Sequence, residues 1–213
     1  MAAIGVTRKG TQGMTNVKSK QPGRPMKIVA ISGSLREGSF NTALLRAAQE
    51  LAPDDLEITL LDLKGVPLYD GDVEARGDPE TVTALKQAIH DADGVLFATP
   101  EYNHGTSGVL KNTVDWASRD RGEGSIRGKP VALVGAGGRG GTVSAQRQLR
   151  DALESTGAVV MDEPHVFVAG AWDKFDSEGR LHDESTLTSL GALLAALADW
   201  IEHLGEAQSV QAA

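Results

Sequence analysis

The strongest constraint on this chain is an alternation of short, apolar, β-branched runs with segments of about a dozen residues that have helical periodicity. Runs at 27–32, 56–61, 94–98 and 130–134 read as strands, and a weaker fifth is expected within 158–168. Between them, apolar residues at 40, 44, 45, 47, 48 and 51 lie on one helical face over 39–51. Further helices are predicted over 79–90, with Asp78 as N-cap and Pro79 in the first turn, over 107–118 and over 142–155. A Leu- and Ala-rich helix over about 184–204 closes the chain. Strand–helix–strand units of this size fold as right-handed crossovers, so the sheet is parallel and covered by helices on both faces.

Five such units in fewer than about 190 residues suit a flavodoxin-like three-layer α/β/α domain with a five-stranded parallel sheet in the order 2-1-3-4-5. The six-stranded dinucleotide fold and the eight-unit barrel both need more chain. One domain is therefore expected over 27–213. Residues 1–26 are read as a disordered basic tail: they carry Arg8, Lys9, Lys18, Lys20 and Arg24, no acid and little apolar periodicity.

Charge and composition exclude several functions. Lys and Arg total 21 against 29 Asp and Glu, a net −8, which argues against a nucleic-acid partner held by general phosphate attraction. No apolar run approaches the roughly 18 residues of a membrane span. The positive start is not followed by the apolar core of a secretory signal, so a cytoplasmic location is expected. Without cysteine there is no thiolate metal site, disulfide or cysteine nucleophile. Histidines 90, 104, 165, 182 and 203 have no metal-ligand spacing, and no metal is expected.

In open sheets of this kind, ligands bind outside the carboxyl ends of the strands, at the point where the strand order reverses. The chain has 25 glycines in 213 residues, well above the average of about 7%. Many of them lie in the loops that leave strands one, three and four. The first loop, Gly33-Ser-Leu-Arg-Glu-Gly-Ser-Phe-Asn41, combines two glycines with the donors of Ser34, Arg36, Ser39 and Asn41 at a helix N-terminus, which describes a phosphate cradle. It is not a Walker loop, because Ser39 stands where that motif needs Lys. After strand three, Pro100 stiffens the exit, Tyr102 and Asn103 offer an aromatic face and an amide, and the N–H groups of residues 101–103 are expected to be free for a flat heterocycle. Residues 135–140 match G-x-G-x-x-G, but that fingerprint belongs on the first strand, and Glu154 falls inside a helix where a ribose contact cannot form. Arg139 is read as a solvated side chain on this loop in preference to a contact with the 2′-phosphate of NADPH.

Three motifs in order carry a resemblance: G-S-L-R-x-x-S-x-N at 33–41, P-E-Y-N at 100–103 and Gly-Val-Leu-Lys-Asn-Thr-Val-Asp-Trp at 108–116. Over about residues 27–158 the chain resembles the NAD(P)H-dependent FMN reductase family, which includes bacterial chromate, quinone and azo-dye reductases. The resemblance implies that FMN phosphate rests on Ser34, Arg36, Ser39 and Asn41, next to Phe40, and that the flavin ring lies beside Pro100, Glu101, Tyr102 and Asn103. Gly135 and Gly137 of the third loop would flank the ring, although Gly135 replaces the family's usual Ser, the usual Pro is missing and the loop is shorter. The implied activity passes hydride from NADPH or NADH through FMN to a small-molecule acceptor in two alternating steps. Quinones, azo compounds, free flavin and metal oxyanions such as chromate are the implied acceptors. No dedicated catalytic side chain is needed, because the flavin carries the chemistry. A homodimer or homotetramer is implied, with Lys111, Asn112, Asp115 and Trp116 as packing and interface positions. The alternative is a flavodoxin-type FMN electron carrier, whose acidic surface would agree with the net charge but whose phosphate loop has no counterpart of Arg36. Trp172 and Phe175, in a Gly/Asp-rich stretch, are read as ordinary surface packing in preference to a cover over a neighbour's flavin, and His104 as a loop residue in preference to a proton donor to a reduced quinone.

Overall fold

The computed structural model describes residues 24–119 and 124–212. In chain order its elements are β1 (Met26–Ser32), α1 (Phe40–Leu51), β2 (Leu56–Leu61), α2 (Gly71–Arg76), α3 (Glu80–Asp91), β3 (Gly94–Ala98) and α4 (Gly108–Ala117). There follow β4 (Pro130–Ala136), α5 (Val143–Ser155), β5 (Val159–Val160), β6 (Val166–Val168) and α6 (Glu184–Ala212). Alternate residues of each central strand point to opposite faces. Met26, Ile28 and Ala30 of β1, Leu96 and Ala98 of β3 and Ala132 and Val134 of β4 join the layer formed with α1 and α6. Val29, Ile31, Val95, Phe97, Val131 and Leu133 join the layer formed with α3, α4 and α5. Both faces are thus apolar, which is why these strands read as nearly continuous apolar runs.

The strands run parallel in the order β2-β1-β3-β4-β5, the flavodoxin-like order expected. The fifth strand position is filled in two pieces. Val131 pairs with Val95 on one side and Val160 on the other, and Val134 pairs with Ala98 and Val166, so β5 and β6 share the free edge of β4. Between them lie Asp162, Glu163 and Pro164, and a proline has no N–H to give to the ladder.

Three expectations change. Asp78 does not cap α3: Pro79 occupies the cap position without a side-chain bond, and the Asp78 carboxylate instead accepts from Lys86 Nζ at 2.7 Å. Lys86 is buried and needs a counter-charge, and that requirement outweighs capping. The short helix α2 was not anticipated; it buries no residue and so leaves no apolar periodicity to read. The expected tail over 1–26 lies outside the described residues only as far as residue 23. Arg24 makes a two-pronged ion pair with the buried Asp93 at 2.8 and 2.9 Å, and Met26 already belongs to β1. Among the described residues no helix is long and apolar enough to cross a membrane.

The start of α6 depends on one carboxylate. Asp183 accepts from Lys174 Nζ, from the hydroxyls of Ser185 and Thr186 at 2.6 Å each, and from the Thr186 N–H at 2.9 Å. The Lys174 ammonium first, and then these hydroxyls, hold its carboxyl well below the usual carboxylate range. A carboxyl depressed in the folded state stabilises above its unfolded pKa of about 4, and the contribution drains away as pH falls below that. Asp183→Asn should therefore lower the urea midpoint at pH 7, and the gap to the parent protein should narrow as pH falls below about 4. Equal gaps at pH 7 and pH 3 would mean that the carboxylate charge contributes nothing.

Candidate active site

The loops that leave β1, β3 and β4 are pressed together at the carboxyl edge of the sheet. A Cβ on Gly33 would lie 2.8 Å from both Leu110 and Pro100, so the first loop can only be seated against α4 and the second loop with glycine there. Ser39 caps α1, its Oγ accepting from the Thr42 N–H at 3.2 Å. The N–H groups of Phe40 and Asn41 lie in the first turn, where a helix offers no carbonyl partner. Arg36 folds over the loop, one guanidinium N–H donating to the Gly38 carbonyl at 2.9 Å. Asn41 is only 3% exposed, and its amide is tied twice to Ala136: Nδ2 donates to the carbonyl and Oδ1 accepts the N–H, both at 2.9 Å. It therefore clamps the first loop to the end of β4 and retains one N–H hydrogen for a ligand.

The second loop is anchored from α5. Glu101 accepts the Ala145 N–H at 3.0 Å, supplying the cap that Thr142 does not give, and Gln148 accepts the Thr106 N–H at 2.8 Å. Tyr102 and Gly105 exchange both backbone bonds, at 3.1 and 3.0 Å, around Asn103 and His104, which have φ of 52° and 60°. This is a two-residue turn of the left-handed kind. The expectation that all three N–H groups of 101–103 are free fails at Tyr102, whose N–H goes to Gly105 because the turn needs it. Among the described residues the N–H groups of Glu101 and Asn103 take no partner. His104 is exposed, its ring 3.4 Å from the Glu101 carboxylate.

These loops enclose a cleft of about 280 Å³. The first contributes Ser34, Arg36, Ser39, Phe40 and Asn41; the second Pro100, Glu101 and Tyr102; the third Ala136, Gly137 and Gly138. Of the residues singled out from sequence, Asn103 and Gly135 do not line it. Asn103 sits at the turn, and Gly135 is a packing glycine whose Cβ would come within 2.4 Å of Thr142 Oγ1 and 2.5 Å of the Thr99 carbonyl. Trp172 also lines the cleft, half-exposed, so its default reading as surface packing gives way to a place beside the cleft of its own chain. The N–H groups of Gly170 and Ala171 bond to the carbonyls of Gly138 and Gly137 at 2.9 and 3.0 Å, which brings the short turn carrying Trp172 over the glycine loop. An isolated aromatic in a Gly/Asp-rich stretch carries no signal of such a contact. Phe175 is buried against Phe40, with ring centroids 5.3 Å apart. A larger cavity of about 810 Å³, between α2, α3 and the end of α4, contains none of the three loops. Convergence of the loops, rather than size, marks the functional cleft.

The cleft is electrostatically one-sided. Arg36, two serine hydroxyls and the positive end of α1 are donors, and the single lining carboxylate, Glu101, is turned to an α5 amide. Such a set receives a phosphate dianion, and the Tyr102 and Trp172 rings at 52% and 51% exposure offer faces to a planar heterocycle. FMN fits this combination. Among the described residues no cluster of histidine and acid could hold a metal.

A family model described as NADPH-dependent FMN reductase matches residues 26–173. The NAD(P)H-dependent FMN reductase of Pseudomonas aeruginosa is 44% identical over 180 residues, which span 84% of this chain and 97% of that protein. A 2-hydroxy-1,4-benzoquinone reductase from a Burkholderia species is 40% identical over 83% of this chain and 96% of its own length. The flavoenzyme NAD(P)H:acceptor oxidoreductase of Paracoccus denitrificans superposes with a TM-score of 0.74 at 36% identity, covering 84% of this chain and 98% of that one.

Asn41→Ala would strand the buried N–H and carbonyl of Ala136. Unfolding free energy measured in urea should fall by roughly 1–3 kcal/mol, and a loss within error of zero would mean that the clamp does not hold the two loops.

Proposed function

Because the chain belongs to the NADPH-dependent FMN reductase family, we propose that it passes reducing equivalents from NAD(P)H to quinones through FMN held in the cleft of Ser34, Arg36, Tyr102 and Trp172. It is an oxidoreductase that uses FMN and NAD(P)H. The observation that carries the reading is the meeting of three loops in one cleft lined by Arg36, serine hydroxyls and a helix N-terminus, with its one carboxylate engaged by α5. When bound, FMN supplies the ring that accepts and returns hydride.

The protein's part is binding and orientation. The Ser34 and Ser39 hydroxyls, the Phe40 and Asn41 amides and the remaining N–H groups of Arg36 hold the phosphate. The Glu101 and Asn103 amides supply donors for the polar edge of the ring and for charge that gathers there on reduction. Tyr102 and Trp172 form apolar walls. The Glu101 carboxylate, committed to α5, is not a general base. One open cleft supports an alternating mechanism, in which nicotinamide leaves before the acceptor arrives in the same place. Quinones are favoured as acceptors because the Burkholderia relative is named for one; azo compounds, free flavin and chromate are weaker candidates for so open a site. The FMN unit is the single domain expected over 27–213, with its first strand starting at Met26. A cytoplasmic homodimer or homotetramer is part of the proposal. Leu35, Val66, Leu68 and Val109 line a shallow apolar groove of about 140 Å³, with Leu68 80% exposed, that a second copy would cover.

The test is an absorbance spectrum of the purified protein, followed by NADPH and then a quinone in the same cuvette. Flavin bands should be bleached by NADPH and restored by quinone. Bands that ignore NADPH and NADH would identify an electron carrier. Arg36→Ala should weaken FMN binding by about 1.5–3 kcal/mol in a fluorescence-quenching titration; unchanged affinity would remove Arg36 from the phosphate site.

A further inference from the structure

A second cavity, of about 350 Å³, lies on the other side of the first loop, between α1 and the end of β2. Ser34 and Arg36 belong to its lining and to that of the FMN cleft, so one loop separates the two. Arg46 of α1 and Lys64 after β2 complete a group of three cations around it. Among the described residues neither the Arg46 guanidinium nor the Lys64 ammonium has a hydrogen-bond or ion-pair partner. Two acids also line the cavity. Asp62 is engaged locally, accepting the Lys64 N–H at 2.9 Å, and Glu37 is exposed. Ser32 and Thr42 contribute hydroxyls, bonded to each other at 2.9 Å.

We propose that this cavity receives the 2′-phosphoadenosine end of NADPH, with Arg46 and Lys64 on the 2′-phosphate. The inference rests on the reading of the neighbouring cleft as the FMN site. A dinucleotide whose nicotinamide enters that cleft has its adenosine end free to cross the shared wall, and of the two nicotinamide co-substrates only NADPH bears a further phosphate there. A phosphate monoester carries between one and two negative charges near neutral pH, and unpaired cations answer that charge. With a net charge of −8 the chain gives such an anion no general attraction, so local cations must supply it. Arg46 also offers a planar guanidinium for phosphate or purine. Arg139, the cation that the glycine loop suggested for this role, is exposed and lines neither cavity.

The experiment uses the FMN-loaded protein, so that the phosphate cradle of the first cleft is filled. 2′,5′-ADP, 5′-AMP and inorganic phosphate are titrated by calorimetry into the parent protein, into an Arg46→Gln, Lys64→Gln double variant and into Arg139→Gln. The parent should bind 2′,5′-ADP more tightly than 5′-AMP or phosphate. The double variant should bind 2′,5′-ADP about tenfold more weakly or worse, and its NADPH-to-NADH ratio of kcat/KM should fall by a similar factor. Arg139→Gln should behave as the parent. Undiminished 2′,5′-ADP binding in the double variant, or a loss that falls on Arg139→Gln, overturns the proposal. Inorganic phosphate binding as tightly as 2′,5′-ADP overturns it too, by showing a site for free phosphate. FMN retention, read by absorbance in the same samples, reports on the neighbouring site separately. If flavin does not survive purification, saturating FMN is added before each titration so that the cradle is filled in every sample.

Discussion

Close approach of backbone to backbone at the carboxyl edge of the sheet is the constraint on which the site depends. Gly33 leaves no room for a Cβ between Leu110 and Pro100, and Gly135 leaves none between Thr99 and Thr142. The first contact seats the loop after β1 on the loop after β3, and the second seats the strand-end of β4 against the same loop. Because β1, β3 and β4 are adjacent and in parallel register, their loops leave the sheet side by side. Glycine lets them close on one another, and the cleft is what remains between them.

Polar ties that cross elements then hold the loops in place. Asn41 reaches from α1 to Ala136 of β4, Glu101 from the second loop to α5, and Gln148 from α5 back to Thr106. The Asn41 clamp is buried, so its loss would leave the Ala136 groups unsatisfied, whereas the Glu101 tie is part-buried and the Gln148 tie lies at the surface. The arrangement also sorts the chemistry of the cleft. The Glu101 carboxylate is engaged within the protein, and donors of the first loop are left for a ligand. The bias towards anions thus arises from which groups the fold consumes as much as from the presence of Arg36.

The same economy bears on residues that have two possible roles. A polar side chain beside a ligand loop can serve the ligand or the fold, and its identity does not distinguish the two. Asn41 and Glu101 serve the fold first. Tyr102 gives its N–H to a turn made by Asn103 and His104 in the left-handed region, where Asn is well tolerated and His less so. Asp78 is drawn from helix capping to the buried ammonium of Lys86. Asn41 and Glu101 are engaged by partners 95 and 44 residues away, which leave no trace in local pattern, whereas Tyr102 and Asp78 are claimed by a turn and a buried ammonium only a few residues off.

The strand–helix alternation, the strand order and the three loops that form the cleft were legible in the sequence. They follow from local properties: apolar runs buried on both faces, helical periodicity, and glycine with Ser, Thr and Asn at loop positions. The motifs at 33–41, 100–103 and 108–116 carried the family for the same reason, since each is a contiguous segment. Only the tertiary structure decided that the fifth strand position is shared by β5 and β6, that Trp172 lines the cleft, and that Arg46 and Lys64 line one cavity with Arg36. Those facts depend on segments dozens of residues apart being brought to one edge of the sheet. Distance along the chain hides them, and packing against both faces of the sheet is what brings them together.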